Sequence, residues 1–385
     1  MNWKIPLFKI YWDREDVKAV SKVIKSGRNW ATGEYVDKFE RGVAKYVSAR
    51  YAISFNSGTS ALQSLMIALG IGPGDEVIVP SFSFIATANV PLFVRAVPIF
   101  AEIESETYGL DPKDVEKKIT KKTKAIMPVH YGGCACKIKE LKKIARKHKL
   151  LLIEDAAESL GAQIGNKKVG SFGETAMFSF CAPKVITTGE GGVIVTNFKE
   201  IYEKLKLLRS HGRAESADYF SSAEYMDYLK LGYNFRMSNI LASLGISQLK
   251  KLNKIIKLRK QKARYLSEKL SKIEEIRLPG FPKGYSHIYQ IYTIYIKKGK
   301  GLRDALKEHL NKKGIMAKVY FPCIHLTKFY RKKFGCKKGD LPITEKISES
   351  VLTLPMYPDL KRKEIDFIVK EIKNFFYDKK IFKKD

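Results

Sequence analysis

At 385 residues, 45% hydrophobic and 11% aromatic, the chain can bury more than one sizeable core and is too short for three domains of ordinary size, which excludes wholesale disorder. No run of about 18 apolar residues exists to cross a bilayer, and Met1 to Pro6 lack the layout of a secretory leader, so a cytoplasmic protein with no membrane partner is expected. The net charge of +31, from 71 basic and 40 acidic residues, attracts anions, but the lysines are scattered and no zinc-finger, RNP-type or basic-zipper motif joins them, so no nucleic-acid partner is expected.

Residues 35–48 set Val36, Phe39, Val43, Ala44 and Val47 on one helical stripe. Short apolar runs follow at 51–55, 76–80, 125–129, 150–153, 176–180 and 192–196. Their length between turn signals predicts strands buried on both faces, hence a mainly parallel sheet. Helical stretches lie between them, as at 137–148 with Ile138, Leu141, Ile144 and Ala145 on one side. The fold class is therefore α/β, a parallel sheet sandwiched by helices.

From 239 to about 270 a long helix is predicted, with Leu241, Leu244, Leu249 and Leu252 recurring. It leads into a smaller α/β domain with strands near 288–296 and 317–320, and helices near 302–313, 341–352 and 362–375. The end, 377–385, reads as a basic tail of low order. The division expected is a large domain over 1–250 and a small C-terminal domain over 251–385. Of the five cysteines, Cys134 and Cys136 are one residue apart, and Cys181, Cys323 and Cys336 stand alone. No zinc-ligand spacing appears, so reduced thiols and no metal are expected.

Four features carry chemistry. Asn56-Ser57-Gly58-Thr59-Ser60 closes a strand and opens a helix, where free N–H groups and hydroxyls favour an anion; such residues are also common as a plain N-cap. Asp155, in Ile153-Glu154-Asp155-Ala156, stands at the carboxyl end of a buried strand, where α/β sheets bind ligands. A buried carboxylate there needs a cation or several donors, although an N-cap role remains open. Lys184, after Phe178-Ser179-Phe180-Cys181-Ala182-Pro183 and before the glycine-rich Thr188-Gly189-Glu190-Gly191-Gly192, suits attack on a carbonyl or contact with a phosphate, without the P-loop order. Gly232-Tyr233-Asn234-Phe235-Arg236 reads as a loop presented to a site, or as a helix-entry turn capped by Ser238.

These motifs, together with Pro80-Ser81-Phe82-Ser83-Phe84 and the stretch 320–325, resemble the DegT/StrS-type sugar aminotransferases, which have the type I fold of enzymes dependent on pyridoxal 5′-phosphate (PLP). The resemblance runs from about residue 5 to residue 376, in the family's order. It implies that Lys184 is the Schiff-base lysine and proton carrier, and that Asp155 keeps the pyridine nitrogen protonated. It also implies that Phe84 stacks on the ring and that Gly58, Thr59, Ser60 and Ser179 form the phosphate cup. Asn234 matches a residue that reaches the phosphate of the neighbouring subunit's cofactor, which implies a homodimer with shared sites. Tyr320, His325 and Arg236 match positions that meet the substrate.

Glu158 matches a position beside the cofactor's phenolic oxygen, where many members carry Gln or His. A carboxylate there resembles the branch that aminates C4 of nucleotide-linked 4-keto-6-deoxyhexoses, such as perosamine synthases. Cys181 and Cys323 depart from the pattern in neighbouring loops. Lys184 itself separates the chain from the dehydratase offshoot, which carries histidine at this position. The expected function is amino transfer, from glutamate, to a nucleotide-linked keto sugar, giving an amino sugar for a surface polysaccharide or glycan. The rivals are another PLP reaction on the same scaffold, on a cyclitol or as a dehydration, and a nucleic-acid-binding role resting on charge alone.

Overall fold

The computed structural model describes residues 3–214, 222–223 and 225–381. Its centre is a seven-stranded sheet in the order Tyr51–Phe55, Gly192–Thr196, Thr175–Ser179, Leu151–Asp155, Thr123–Ile126, Glu76–Pro80 and Val97–Ala101. Gly192–Thr196 runs antiparallel to both its neighbours, and the remaining pairs are parallel. The inner strands are largely apolar because helices cover both faces. On one face lie Glu34–Val47, Ile138–Lys147 and the first half of Asn239–Leu270; on the other lie Gly58–Ala68, Ala86–Phe93 and Lys199–Arg209. The stripe Val36, Phe39, Val43, Ala44 and Val47 is buried as its spacing predicts, and so are Ile138, Leu141, Ile144 and Ala145.

The long helix, Asn239–Leu270, starts on Ser238, whose hydroxyl accepts from the Leu241 N–H. Of the predicted leucine stripe only Leu252 is buried; Leu241, Leu244 and Leu249 sit at the rim. The buried face is instead built from small and polar residues, Ala242, Ser243, Gly245, Ser247 and Gln248. Close approach explains this: a Cβ on Gly245 would stand 2.7 Å from the Phe39 ring. Further along, Ile255 and Ile256 pack in the large core, while Ala263, Leu266 and Leu270 enter a second one. That second core is closed by a three-stranded antiparallel sheet, Ile276–Arg277, Tyr292–Ile296 and Val351–Leu354, and by the helices Lys300–Lys312 and Arg362–Ile381.

Three expectations are corrected. Val97–Ala101 is a strand that the sequence reading omits; its edge position tolerates Pro98 and leaves it half-exposed. Residues 317–320 form only a bridge, Lys318 with Thr353, and the strand at that edge is Val351–Leu354, which follows the helix Pro342–Ser350 rather than ending it. The last helix runs to Ile381, past the expected start of the tail, and 382–385 lie outside the described residues. Among the described residues no helix is long and apolar enough to cross a membrane.

Candidate active site

Successive strand residues point to opposite faces, and the neighbours Glu154 and Asp155 divide accordingly. Glu154 is wholly buried and accepts from His130 Nε2 at 2.9 Å and from the N–H groups of Gly170, Phe172 and Gly173 at 2.9, 2.7 and 2.7 Å. The Cys136 N–H donates to His130 Nδ1, which fixes the ring proton on Nε2, facing the carboxylate. Burial would raise this carboxyl, but His130 and the loop N–H groups outweigh it and hold it below the usual range. Glu154 pins the 170–173 loop. Asp155, the last residue of its strand, accepts from Thr87 Oγ1 at 2.7 Å and from the Ala157 N–H at 3.2 Å. Among the described residues no lysine or arginine is ion-paired to it, and burial raises its pKa against the pull of Thr87, Ala157 and the charge of Lys184.

The helix Gly58–Ala68 opens at the carboxyl end of the first strand. Ser57 and Ser60 form a reciprocal capping box, and Ser60 Oγ also donates to Asn56 Oδ1 at 2.6 Å. This leaves the Gly58 and Thr59 N–H groups at the open first turn, the place where a helix binds anions. Two glycines bring backbones together here. A Cβ on Gly192 would stand 2.5 Å from the Ser57 carbonyl oxygen and 2.7 Å from the Gly58 nitrogen. One on Gly58 would meet Met177 Sδ at 3.1 Å and Ser179 Cβ at 3.4 Å. Ser179, at the end of its own strand, therefore borders the same cradle.

Lys184 Nζ lies 3.4 Å from Glu158 Oε1, with both side chains largely buried, and the Gly132 N–H donates to the other Glu158 oxygen at 2.9 Å. Lys184, Glu158 and Asp155 thus converge on one crevice at the carboxyl edge of the sheet. Tyr320 borders it: burial first, then Glu158 and Cys181, hold its hydroxyl above the usual range. Half-buried Cys181 faces the same crevice, its thiol raised by burial while the charge of Lys184 opposes the rise. Phe84 begins the turn that leads to Thr87, whose N–H donates to the Phe84 carbonyl at 3.2 Å, and it is 60% exposed.

Asn234 is exposed on a segment fastened to the cradle, since the Asn56 N–H donates to the Phe235 carbonyl at 2.8 Å and Tyr233 and Phe235 stack at 4.7 Å. Arg236 is half-buried and donates to Ser210 Oγ at 3.2 Å.

His325 does not join this group. It is 1% exposed, with Nδ1 2.6 Å from Ser81 Oγ and Nε2 3.1 Å from Glu345 Oε1, so both ring nitrogens are engaged away from the crevice. Cys323 is likewise buried, its thiol pushed up to about 12, and its Sγ points to the Thr344 carbonyl. Thr87, Gly132 and His130 are site-building residues that the sequence reading missed. Only Thr87 carried a signal: it stands three residues after Phe84, in the turn that opens the helix Ala86–Phe93.

The crevice fits the expected PLP. It offers a buried carboxylate that, among the described residues, has no ion-paired cation and can face a protonated ring nitrogen, a helix N-terminus for a phosphate, a lysine amine and an exposed aromatic residue. Comparison with known proteins agrees. Residues 11–373 match the DegT/DnrJ/EryC1/StrS aminotransferase family. GDP-perosamine synthase of Vibrio cholerae is 35% identical over 97% of this chain and 99% of its own. The solved structure of Helicobacter pylori PseC, an aminotransferase involved in the biosynthesis of pseudoaminic acid, superimposes with a TM-score of 0.90 at 30% identity, over 97% of this chain and 99% of that one. A candidate sugar aminotransferase of Streptococcus pneumoniae, solved in its PLP form, gives 0.89 at 25% identity, over 97% and 98%.

Proposed function

This chain belongs to the DegT/DnrJ/EryC1/StrS aminotransferase family and is a PLP-dependent aminotransferase, and from that premise we propose that it transfers an amino group from glutamate to the ketone of a nucleotide-linked sugar. The observation that carries the reading is the Lys184–Glu158 pair, 3.4 Å apart in the crevice that Asp155 closes, in a chain 35% identical over nearly its whole length to a GDP-perosamine synthase. When bound, PLP supplies an electron-withdrawing ring through which an amino group and a proton can be exchanged.

The residues divide that work. The Asp155 carboxylate, positioned by Thr87 and the Ala157 N–H, holds a proton on the ring nitrogen. The Gly58 and Thr59 N–H groups, with Thr59, Ser60 and Ser179, hold the phosphate, and Phe84 covers the ring. Lys184 Nζ would hold the cofactor covalently and would accept and return the proton at the reacting carbon. Glu158, fixed by Gly132, keeps that amine oriented. Tyr320 and Arg236 meet the acceptor, and the basic surface draws in its diphosphate. The unit is a homodimer in which Asn234 completes the partner's phosphate site. The product is an amino sugar for a surface polysaccharide or glycan.

The test is to incubate purified enzyme with glutamate and a panel of UDP-, GDP- and dTDP-linked keto sugars, measuring 2-oxoglutarate and the aminated sugar. Amination of at least one nucleotide-linked ketone is expected. Turnover of free cyclitol ketones alone, with none of the nucleotide sugars accepted, would reject this acceptor class.

A further inference from the structure

Gln290 is 4% exposed and lies in the segment that leads into the strand Tyr292–Ile296 of the smaller sheet, yet its side chain reaches across to the residue before Lys184. Its Nε2 donates to the Pro183 carbonyl at 2.6 Å, the peptide that leads directly into the lysine. On either side of it, the Ile288 N–H donates to the Gly133 carbonyl at 2.9 Å and the Ile291 N–H to the Gly132 carbonyl at 3.2 Å. Gly132 in turn holds Glu158. One short stretch, 288–291, therefore grips the backbone beneath both members of the Lys184–Glu158 pair. The approach is close enough to need glycine: Gly133 has φ +99°, and a Cβ there would stand 2.8 Å from the Gln290 nitrogen. The stretch is itself fixed by the buried Arg259 of the long helix, which donates to the carbonyls of Tyr289, Gln290 and Met356 at 3.0, 3.2 and 3.0 Å.

We infer that Gln290 is a positioning residue that sets the Lys184 amine against Glu158, so that the smaller layer controls the geometry of amino transfer. Packing alone does not call for this side chain. Its Oε1 is buried with no hydrogen bond among the described residues, so a methionine would fill the space without that orphaned acceptor. What only the glutamine supplies is the donor to Pro183. Catalytic geometry is sensitive to displacements of well under an ångström, whereas folding is not.

The inference rests on Lys184 as the PLP lysine, and the experiment separates the two. Holoenzyme with Gln290→Met, and with Gln290→Asn, whose amide is too short to reach Pro183, is compared with wild type. Borohydride labelling locates the lysine, the visible absorbance of the bound cofactor is titrated with pH, and kcat and KM are measured. The label should stay on Lys184, the titration midpoint should move by about half a unit or more, and kcat should fall by roughly tenfold with KM for glutamate within about twofold. Titration curves and kcat that superimpose on wild type, with the label on Lys184, would overturn the positioning role alone. Label on another lysine in wild type would overturn the reading beneath it.

Discussion

Thr87 Oγ1 donates to Asp155 Oδ2 across 2.7 Å, joining the helix Ala86–Phe93 to the end of a strand 68 residues later in the chain. The same hydroxyl is 2.9 Å from Ser83 Oγ. Thr87 is thus a relay that can turn either way, donating to a carboxylate or, with its O–H donating to Ser83 Oγ, accepting from an amide.

That relay makes Asp155→Asn a structurally tolerated change. The introduced amide would accept the Ala157 N–H and donate to Thr87, leaving the local bonds made. Burial raises the Asp155 pKa in the folded cofactor-free chain. A carboxyl raised above its unfolded value contributes stability below the ordinary aspartate range, and that stability is lost as pH rises through the folded pKa. The cofactor-free Asp155→Asn variant should therefore melt higher than wild type at pH 8, by about 0.5–2 kcal/mol, the range of a single stabilising substitution, and the gap should shrink towards pH 4. PLP affinity should fall roughly ten- to hundredfold with the lost ionic hydrogen bond. Calorimetry at both pH values and a PLP titration check this; a gap independent of pH would contradict it.

Glu158→Gln retains an acceptor for Gly132 but removes the charge 3.4 Å from Lys184. Charge-assisted contacts of this burial contribute on the order of 1.5–3 kcal/mol, so kcat should drop by about ten- to hundredfold while the melting temperature changes little. Steady-state kinetics beside a thermal melt decides it. Unchanged kcat would remove Glu158 from the amine-orienting role.

The buried bonds of His325 tie it into the frame. It bridges Ser81, just past the strand Glu76–Pro80, to Glu345 on the helix Pro342–Ser350, and Glu345 is also held by the Gly339 and Leu341 N–H groups. His325→Ala should cost about 2–4 kcal/mol, through a cavity and two lost buried hydrogen bonds. KM for the acceptor should stay within about twofold, since no contact is lost. A large rise in KM with an unaltered melt would return His325 to the substrate.

The sheet and its flanking helices were legible because burial there follows simple periods, as in Val36–Phe39–Val43 and in the strands around Ile153. The places of Asp155 and Lys184 at the edge of the sheet were legible because each ends or follows a buried strand. What remained hidden depends on contacts distant in sequence. Nothing in Glu154-Asp155 says which carboxylate meets His130 and which meets Thr87; that follows from how the 170–173 loop folds over one face. The leucines of Asn239–Leu270 looked like a core stripe, but Phe39 presses against the small residues between them. The resemblance placed His325 at the substrate, while its buried partners, Ser81 and Glu345, lie 244 and 20 residues away, beyond what a local motif records.

Asn234 gives the last prediction. It is exposed, while its neighbours tie the segment to the phosphate cradle of the same chain through Asn56 and the carbonyl of Phe235. A side chain so placed is at the cradle's rim but turned outward, where a two-fold partner would meet it. Tyr225, Leu229 and Leu231 are exposed in the preceding stretch, an apolar surface that a second copy would cover. The test mixes subunits carrying Lys184→Ala with subunits carrying Asn234→Asp, which sets a carboxylate against a phosphate, after mild dissociation and reassociation. Each homodimer should be inactive or severely impaired. With shared sites, a mixed dimer has one site bearing both lesions and one bearing neither, so about half of its sites should regain wild-type turnover under two-fold symmetry. If each site is built within one chain, every site keeps one lesion and the mixture stays at the parental level. Native mass spectrometry would establish that mixed dimers formed, and no recovery in their presence would refute the shared site.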